Sequence, residues 1–203
     1  MSAGNPPNTA GRASHDRYGE VVEAAIRVIA RDGLRGATIR SIAHEIGYTT
    51  GVVTHYFRDK ADLLVAVGDA ILTPYDDLLT DAVNDADVIA GLLRMCVVPL
   101  PTNPNNEIRW RVYAHVLASA ESEPAFAKSF HAHYTAIREA VGALLVRGQQ
   151  EGALRADFDA DMQGDLLCAM VDGLALRSLT EPSRLSAQRQ IAILTAELDR
   201  LRA

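Results

Sequence analysis

Cysteine is scarce in this 203-residue chain: Cys96 and Cys168 stand far apart, each in apolar surroundings. Two such thiols exclude a disulfide framework. They read as small core residues of a reducing compartment, the cytoplasm. Long hydrophobic runs are also missing. No stretch approaches the ~18 uncharged residues a membrane helix needs, so no membrane partner is expected. Between Met1 and Arg17 there is no apolar segment of the kind a secretory signal carries. No stretch alternates apolar and polar residues in the manner of a strand. A surplus of positive charge is lacking as well. The formal net charge of −6 argues against a uniformly basic nucleic-acid binder.

Catalytic and cofactor signatures are equally thin. There is no G-x-S-x-G, no phosphate-binding loop and no dinucleotide fingerprint. Asp157, Asp159 and Asp161 open like a calcium loop, but Met162 stands where Gly is required and Cys168 where the bidentate Glu belongs. These acids favour a helix N-terminus instead. His44-Glu45 begins a zincin-like pattern that Tyr48 breaks. His131 and His133 are two apart on a helix, so their rings diverge, and with His115 they read as surface histidines. No metal and no cofactor is expected.

The remaining composition is that of an ordinary globular chain, 48 % hydrophobic and 23 % charged. At this length roughly 70 % of the unfolded surface is buried without staples. Charge is unevenly spread. Residues 1–60 hold eight Lys/Arg against six Asp/Glu (net +2), and the rest holds twelve against twenty (net −8). The first segment suits a polyanion better than the second.

Helical periodicity dominates. From Tyr18, the positions Val21, Val22, Ala25, Ile26 and Ile29 recur at spacings of three and four, and Asp32-Gly33 stops the helix. Thr38 caps a second, short helix carrying Ile39, Ile42, Ala43 and Ile46, and Gly47 ends it. A third runs from about Thr49 to Phe57. Asp59 caps a long fourth helix, to about Asp81, kinked or ended near Pro74. Leu100 to Asn106 reads as a loop. Further helices carry Ile108 to Leu117, start at Ser122-Glu123-Pro124, follow Asp161, and open at Pro182-Ser183. The last has Ala187, Ile191, Leu194, Leu198 and Leu201 in a near-heptad seam. The expected fold is all-α, about nine helices: a flexible tail (1–14), a three-helix unit (15–60) and a larger helical domain (61–203).

Two short helices around Gly47 form a helix-turn-helix pattern. The first presents its N-terminus, capped by Thr38 with Arg40 in the first turn, to phosphate. The second needs short polar side chains near its start to enter a major groove, and Thr49, Thr50 and Thr54 supply them beside Gly51. Val52 and Phe57 are expected to face inward.

The run Thr38-Ile39-x-x-Ile42-Ala43-x-x-Ile46-Gly47, followed by Thr50-Gly51-Val52-Val53-Thr54-His55-Tyr56-Phe57-x-Asp59-Lys60-x-x-Leu63-Leu64, resembles the DNA-binding segment of the tetracycline-repressor (TetR) family over about residues 17–65. Within the family it looks most like the choline-responsive repressors of betaine synthesis. Asp172-Gly173-Leu174-Ala175-Leu176-Arg177 looks like the start of that subfamily's dimer region. The resemblance implies a ligand-responsive repressor that binds a palindromic double-stranded operator as a homodimer and is released by a small-molecule effector. It implies phosphate contacts by Tyr56 and Lys60, backbone contacts by Thr38 and Arg40, and base or backbone contacts by Thr49, Thr50, Gly51, Thr54 and His55. Many members carry Lys or an aromatic where this chain has Thr50 and Thr54. Hydroxyls bond to several bases, so these two positions are expected to accept more than one operator base.

Phe57 reads as core, and His55 is balanced between DNA-facing and solvent-facing. Arg12 and Arg17 read as a solvated leader rather than a minor-groove arm. For the effector pocket, Trp110, Tyr113, Leu117, Phe130, Tyr134 and Met170 are the candidates, with Phe126 on the same aromatic stripe. Such rings suit a quaternary ammonium by cation–π attraction. The expected dimer interface is Leu167, Val171, Leu174, Ile191, Leu194 and Leu198. Two other classes compete: an all-α enzyme, which would need converging titratable groups that no helical spacing supplies, and a helical protein-interaction module using the last helix.

Overall fold

A computed structural model describes residues 9–119 and 124–203, with side chains for 16–118, 127–128 and 130–203. Among the described residues the chain is all-α: α1 Thr9–Gly36, α2 Ile39–Glu45, α3 Thr50–Tyr56, α4 Lys60–Leu72, α5 Pro74–Val83, α6 Val88–Val97, α7 Pro104–Ser119, α8 Pro124–Gln150, α9 Ala160–Ser178 and α10 Ala187–Leu201. Counting α4 and α5 as one rod kinked at Pro74 gives nine. Thr73 keeps helical angles between them, but Pro74 has no N–H to continue the ladder.

Several boundaries move. α1 begins at Thr9 rather than Tyr18, so part of the expected 1–14 tail is helical, and residues 1–8 lie outside the described residues. Ala10, Arg12 and Ala13 are good helix formers, and extending an existing helix is cheap. Of the proposed start at Ser122-Glu123-Pro124, Ser122 and Glu123 lie outside the described residues, and α8 is helical from Pro124. α7 takes up Pro104, shortening the expected loop, because Pro is at home in a first helical turn. α10 opens not at Pro182-Ser183 but at Ser186, whose hydroxyl accepts from the Arg189 N–H.

Capping chemistry explains the starts. Thr38 Oγ1 accepts from Ser41 N–H at 3.0 Å and Ser41 Oγ accepts from Thr38 N–H at 2.9 Å, a reciprocal box. Asp59, Asp87 and Asp159 cap α4, α6 and α9.

Two apolar clusters hold the molecule. The first joins α1 to α2, α3 and α4 through residues such as Ile29, Ile42, Val53 and Leu63, and takes Val112 and Val116 from α7 and Phe130 from α8. The second joins α6, α8, α9 and α10 through Leu92, Leu144, Leu145, Leu167, Leu194 and Leu198. Each such fully buried side chain is worth about 1.5–3 kcal/mol. The heptad seam of α10 therefore faces the protomer's own core. The chain end is pinned there too: Arg155 N–H donates to Leu201 O and Ala203 N–H to Ala153 O. Across the core, Arg147 of α8 donates to the carbonyls of Val83 and Asp85, closing the C-terminal end of α5.

Candidate nucleic-acid interface and effector cavity

The turn between α2 and α3 depends on Gly47 at φ 70°, a conformation costly for residues with a Cβ. It lets Gly47 N–H return to His44 O and Tyr48 N–H to Ala43 O. α1 then clamps the pair from outside. The Tyr48 hydroxyl donates to Glu20 at 2.6 Å, and Arg27 and Arg31 reach Glu45 at 3.4 and 3.0 Å.

α3 is anchored by Val53 and Phe57, both buried. Val52, expected to face inward, is only half-buried. One helical step of about 100° separates neighbours, and the packing of α3 against α2 turns Val53 inward. The opposite face leaves Thr49, Thr50, Gly51, Thr54 and His55 exposed, with Thr38 and Arg40 exposed at the start of α2. The Thr49 hydroxyl makes no capping bond. Thr54 Oγ1 donates back to the carbonyls of Thr50 and Gly51. Half-buried Tyr56 packs edge-on to Tyr18 at 6.1 Å and His55 at 4.9 Å. Lys60 behaves differently from expectation. Its ammonium donates to Leu34 O, where it satisfies a carbonyl at the end of α1. Arg17 is exposed, and the side chain of Arg12 lies outside the described residues.

Between the two apolar clusters lies a cavity of about 870 Å3, its open mouth included, walled by α4 to α9. Trp110, Tyr113, Phe130 and Tyr134, four of the effector-pocket candidates, line it. Tyr113 is the hub, with Trp110 at 5.2 Å, Phe130 at 5.6 Å and Tyr134 stacked at 6.4 Å. The indole N–H of Trp110 donates to Pro99 O at 2.7 Å. Leu117 is not in the wall and is 51 % exposed. It lies one step past Val116, which faces α1, and that rotation turns it to the surface. Met170 packs into the second cluster instead. The Phe126 side chain lies outside the described residues. Cys96 is buried in the second cluster as expected and Cys168 packs against it; both are free and both also line the cavity. Burial pushes their thiols up to about 12 and about 11.

Four polar wall residues were not anticipated. The Tyr134 hydroxyl donates to Asp172 Oδ2. Burial raises the Asp172 pKa while that bond opposes the shift, and among the described residues no cationic side chain pairs with it. Burial, then the charge of Asp172, pushes Tyr113 up to about 12. The Arg109 guanidinium lies 5.7 Å from the Tyr75 ring centre and bonds weakly to Asn106 at 3.4 Å. It too has no ion-pair partner among the described residues. His133 packs on Tyr75 at 6.0 Å, with Nδ1 3.9 Å from Asp76 and Nε2 buried without a partner. Burial lowers its pKa and Asp76 opposes. The sequence did carry one signal. Asp172 interrupts the apolar stripe Leu167, Cys168, Val171 and Ala175. His115 packs on Gly33 and His133 on Tyr75, and among the described residues no group of three His, Cys, Asp or Glu side chains is placed to hold a metal ion.

The expected dimer residues differ in exposure. Leu167, Leu194 and Leu198 are buried inside the protomer. Leu167 and Val171 also line the cavity, while Leu174 and Ile191 are half-buried on the second cluster. A helix with one apolar stripe spends it once, and α10 spends it inward. Exposed large apolar side chains include Val146 on α8 and Met162 (71 % exposed) and Leu166 (47 % exposed) on α9, besides Tyr18, Val98 and Leu117, and Gly142 and Gly173 of α8 and α9 open onto free space.

Comparison with known proteins agrees with this geometry. Residues 21–67 match the bacterial regulatory proteins of the tetR family, and residues 89–203 match the C-terminal domain of BetI-type transcriptional repressors. The regulator PksA of Bacillus subtilis is 29 % identical over 174 residues, covering 85 % of this chain and 83 % of that protein. The repressor AcnR of Corynebacterium glutamicum is 26 % identical over 166 residues, 81 % and 82 % of the two chains. A crystal structure of a putative transcriptional regulator from Saccharomonospora viridis in complex with choline superposes with a TM-score of 0.83 at 26 % identity, covering 92 % of this chain and 96 % of that one. The chain belongs to the TetR family of transcriptional regulators. It is a repressor with a DNA-binding segment and a C-terminal ligand-binding domain, not an enzyme. No helix among the described residues is long and apolar enough to cross a membrane.

Proposed function

We propose that this repressor works as a homodimer on a palindromic operator and leaves it when a small molecule fills the cavity. Residues 15–60 act as the reading head, and residues 61–203 bind the effector and pair the subunits. The observation that carries the reading is α7. One face lines the cavity with Arg109, Trp110 and Tyr113, while Val112 and Val116 pack in the same apolar cluster as α1 and its helix-turn-helix. An occupant that shifts this helix moves the head. A coupling of about 1–3 kcal/mol suffices.

On DNA, Thr38, Arg40 and Tyr56 hold the backbone, and Thr49, Thr50, Gly51, Thr54 and His55 approach the groove. The engaged Lys60 ammonium stabilises the α1–α4 junction, so it is a weaker candidate for phosphate. The second subunit docks on the exposed α8–α9 face. The choline complex of the neighbouring structure supports a small-molecule effector.

Light scattering together with operator binding tests the reading. The wild-type protein is expected to be a dimer that shifts a palindromic duplex. Leu166→Arg, which places a charge on the α8–α9 face, is expected to be a folded monomer with operator affinity reduced at least tenfold. A wild-type monomer, or a Leu166→Arg protein that stays dimeric with full affinity, overturns it.

A further inference from the structure

The cavity wall carries two formal charges of opposite sign that do not neutralise each other. Asp172 on α9 is held by the Tyr134 hydroxyl among the rings of Tyr113 and Tyr134. Arg109 on α7 lies over Tyr75 and meets no carboxylate among the described residues. Most of the remaining wall is aliphatic or aromatic, including Ile71, Leu78, Leu79 and Met95. Charges held partly out of water without an ion-pair partner are costly, and a protein that keeps them leaves the compensation to something else. His133 adds an independent polar group, since its side chain is only 10 % exposed, it lines the same cavity, and its Nε2 has no partner among the described residues.

A wall with one negative and one positive group favours a ligand with the complementary pair. Stacked phenol rings beside a carboxylate receive a cationic nitrogen by cation–π and ionic attraction. A guanidinium receives a carboxylate or similar oxyanion. The apolar walls between the two charged groups ask for an apolar spacer. Resting on the effector reading above, we propose that the cavity binds a zwitterion: a cationic nitrogen at Asp172 and an anionic group at Arg109, joined by an apolar body. A singly charged choline-like cation would leave Arg109 uncompensated.

The sole tryptophan, Trp110, sits in the wall, so its fluorescence reports occupancy in the full-length protein. The probes are ω-aminoalkanoates of six, eight and eleven carbons, each set against the alkylamine and the alkanoate of the same length. At one of these lengths at least, the zwitterion is expected to bind about tenfold more tightly than either singly charged partner. Asp172→Asn, nearly isosteric, removes the advantage contributed by the amine and leaves alkanoate binding unchanged. Arg109→Met does the reverse. The proposal is overturned when no zwitterion exceeds both of its partners at any length, or when each variant weakens all three ligand types alike. Operator release measured in parallel separates this from the effector reading. An alkanoate or amine that binds best and releases DNA retains that reading and overturns the zwitterion. A zwitterion that binds best without releasing DNA does the opposite.

Discussion

Removing one oxygen atom from each subunit tests the DNA interface most cleanly. In Tyr56→Phe the ring keeps its edge contacts with Tyr18 and His55, so stability changes by no more than about 0.5 kcal/mol. What is lost is the hydroxyl, which has no hydrogen-bond partner among the described residues and is free to meet a phosphate. A hydrogen bond to a charged group is worth about 1.5–3 kcal/mol. For the proposed dimer on two equivalent half-sites that makes about 3–6 kcal/mol, since distant sites add. Operator affinity is then expected to fall roughly a hundred- to ten-thousand-fold. The phenol is neutral and displaces no counterion, so the salt dependence should stay as in wild type. Arg40→Ala provides the contrast, flattening the log–log salt slope by about 0.9 per half-site. Fluorescence anisotropy on a labelled operator duplex at several salt concentrations measures both quantities. A Tyr56→Phe dissociation constant within about twofold of wild type, or a slope that changes as much as in Arg40→Ala, refutes the assigned roles.

Two further outcomes concern stability. Thr38→Ala removes the acceptor for Ser41 N–H, costing about 1 kcal/mol and lowering the calorimetric midpoint by about 2–4 °C; an unchanged midpoint would show that Ser41 carries the cap alone. Asp172 has a folded pKa raised by burial, so the native state holds its proton more tightly than the unfolded chain, and stability declines as pH climbs from the ordinary carboxylate range through the folded value. Asp172→Asn is therefore expected to melt higher than wild type at neutral pH in the ligand-free state and to lose that part of the pH dependence. Melting curves between acid and neutral pH decide it, and equal midpoints at neutral pH count against an uncompensated buried carboxylate.

The helix-turn-helix was legible in the primary structure because its constraints are local. Thr38, Gly47 and Asp59 act within a few residues through caps and a left-handed turn. The all-α class followed from periodicity for the same reason. Pattern also exposed an apolar stripe on the last helix, but a stripe does not say what it touches. Only packing decided that Leu194 and Leu198 close the protomer's own core while Met162 and Leu166 are left outside on α9. Likewise the aromatic residues of the cavity could be picked out one at a time, yet its charges could not. Asp172 and Tyr134 are 38 positions apart, and Arg109 shares their cavity from a third helix. Composition and spacing along one chain determine which helices form and which faces are greasy. Which greasy face meets which, and whether a carboxylate ends beside a cation or alone among rings, depends on contacts between distant segments, whose energies appear only once the chain has closed on itself.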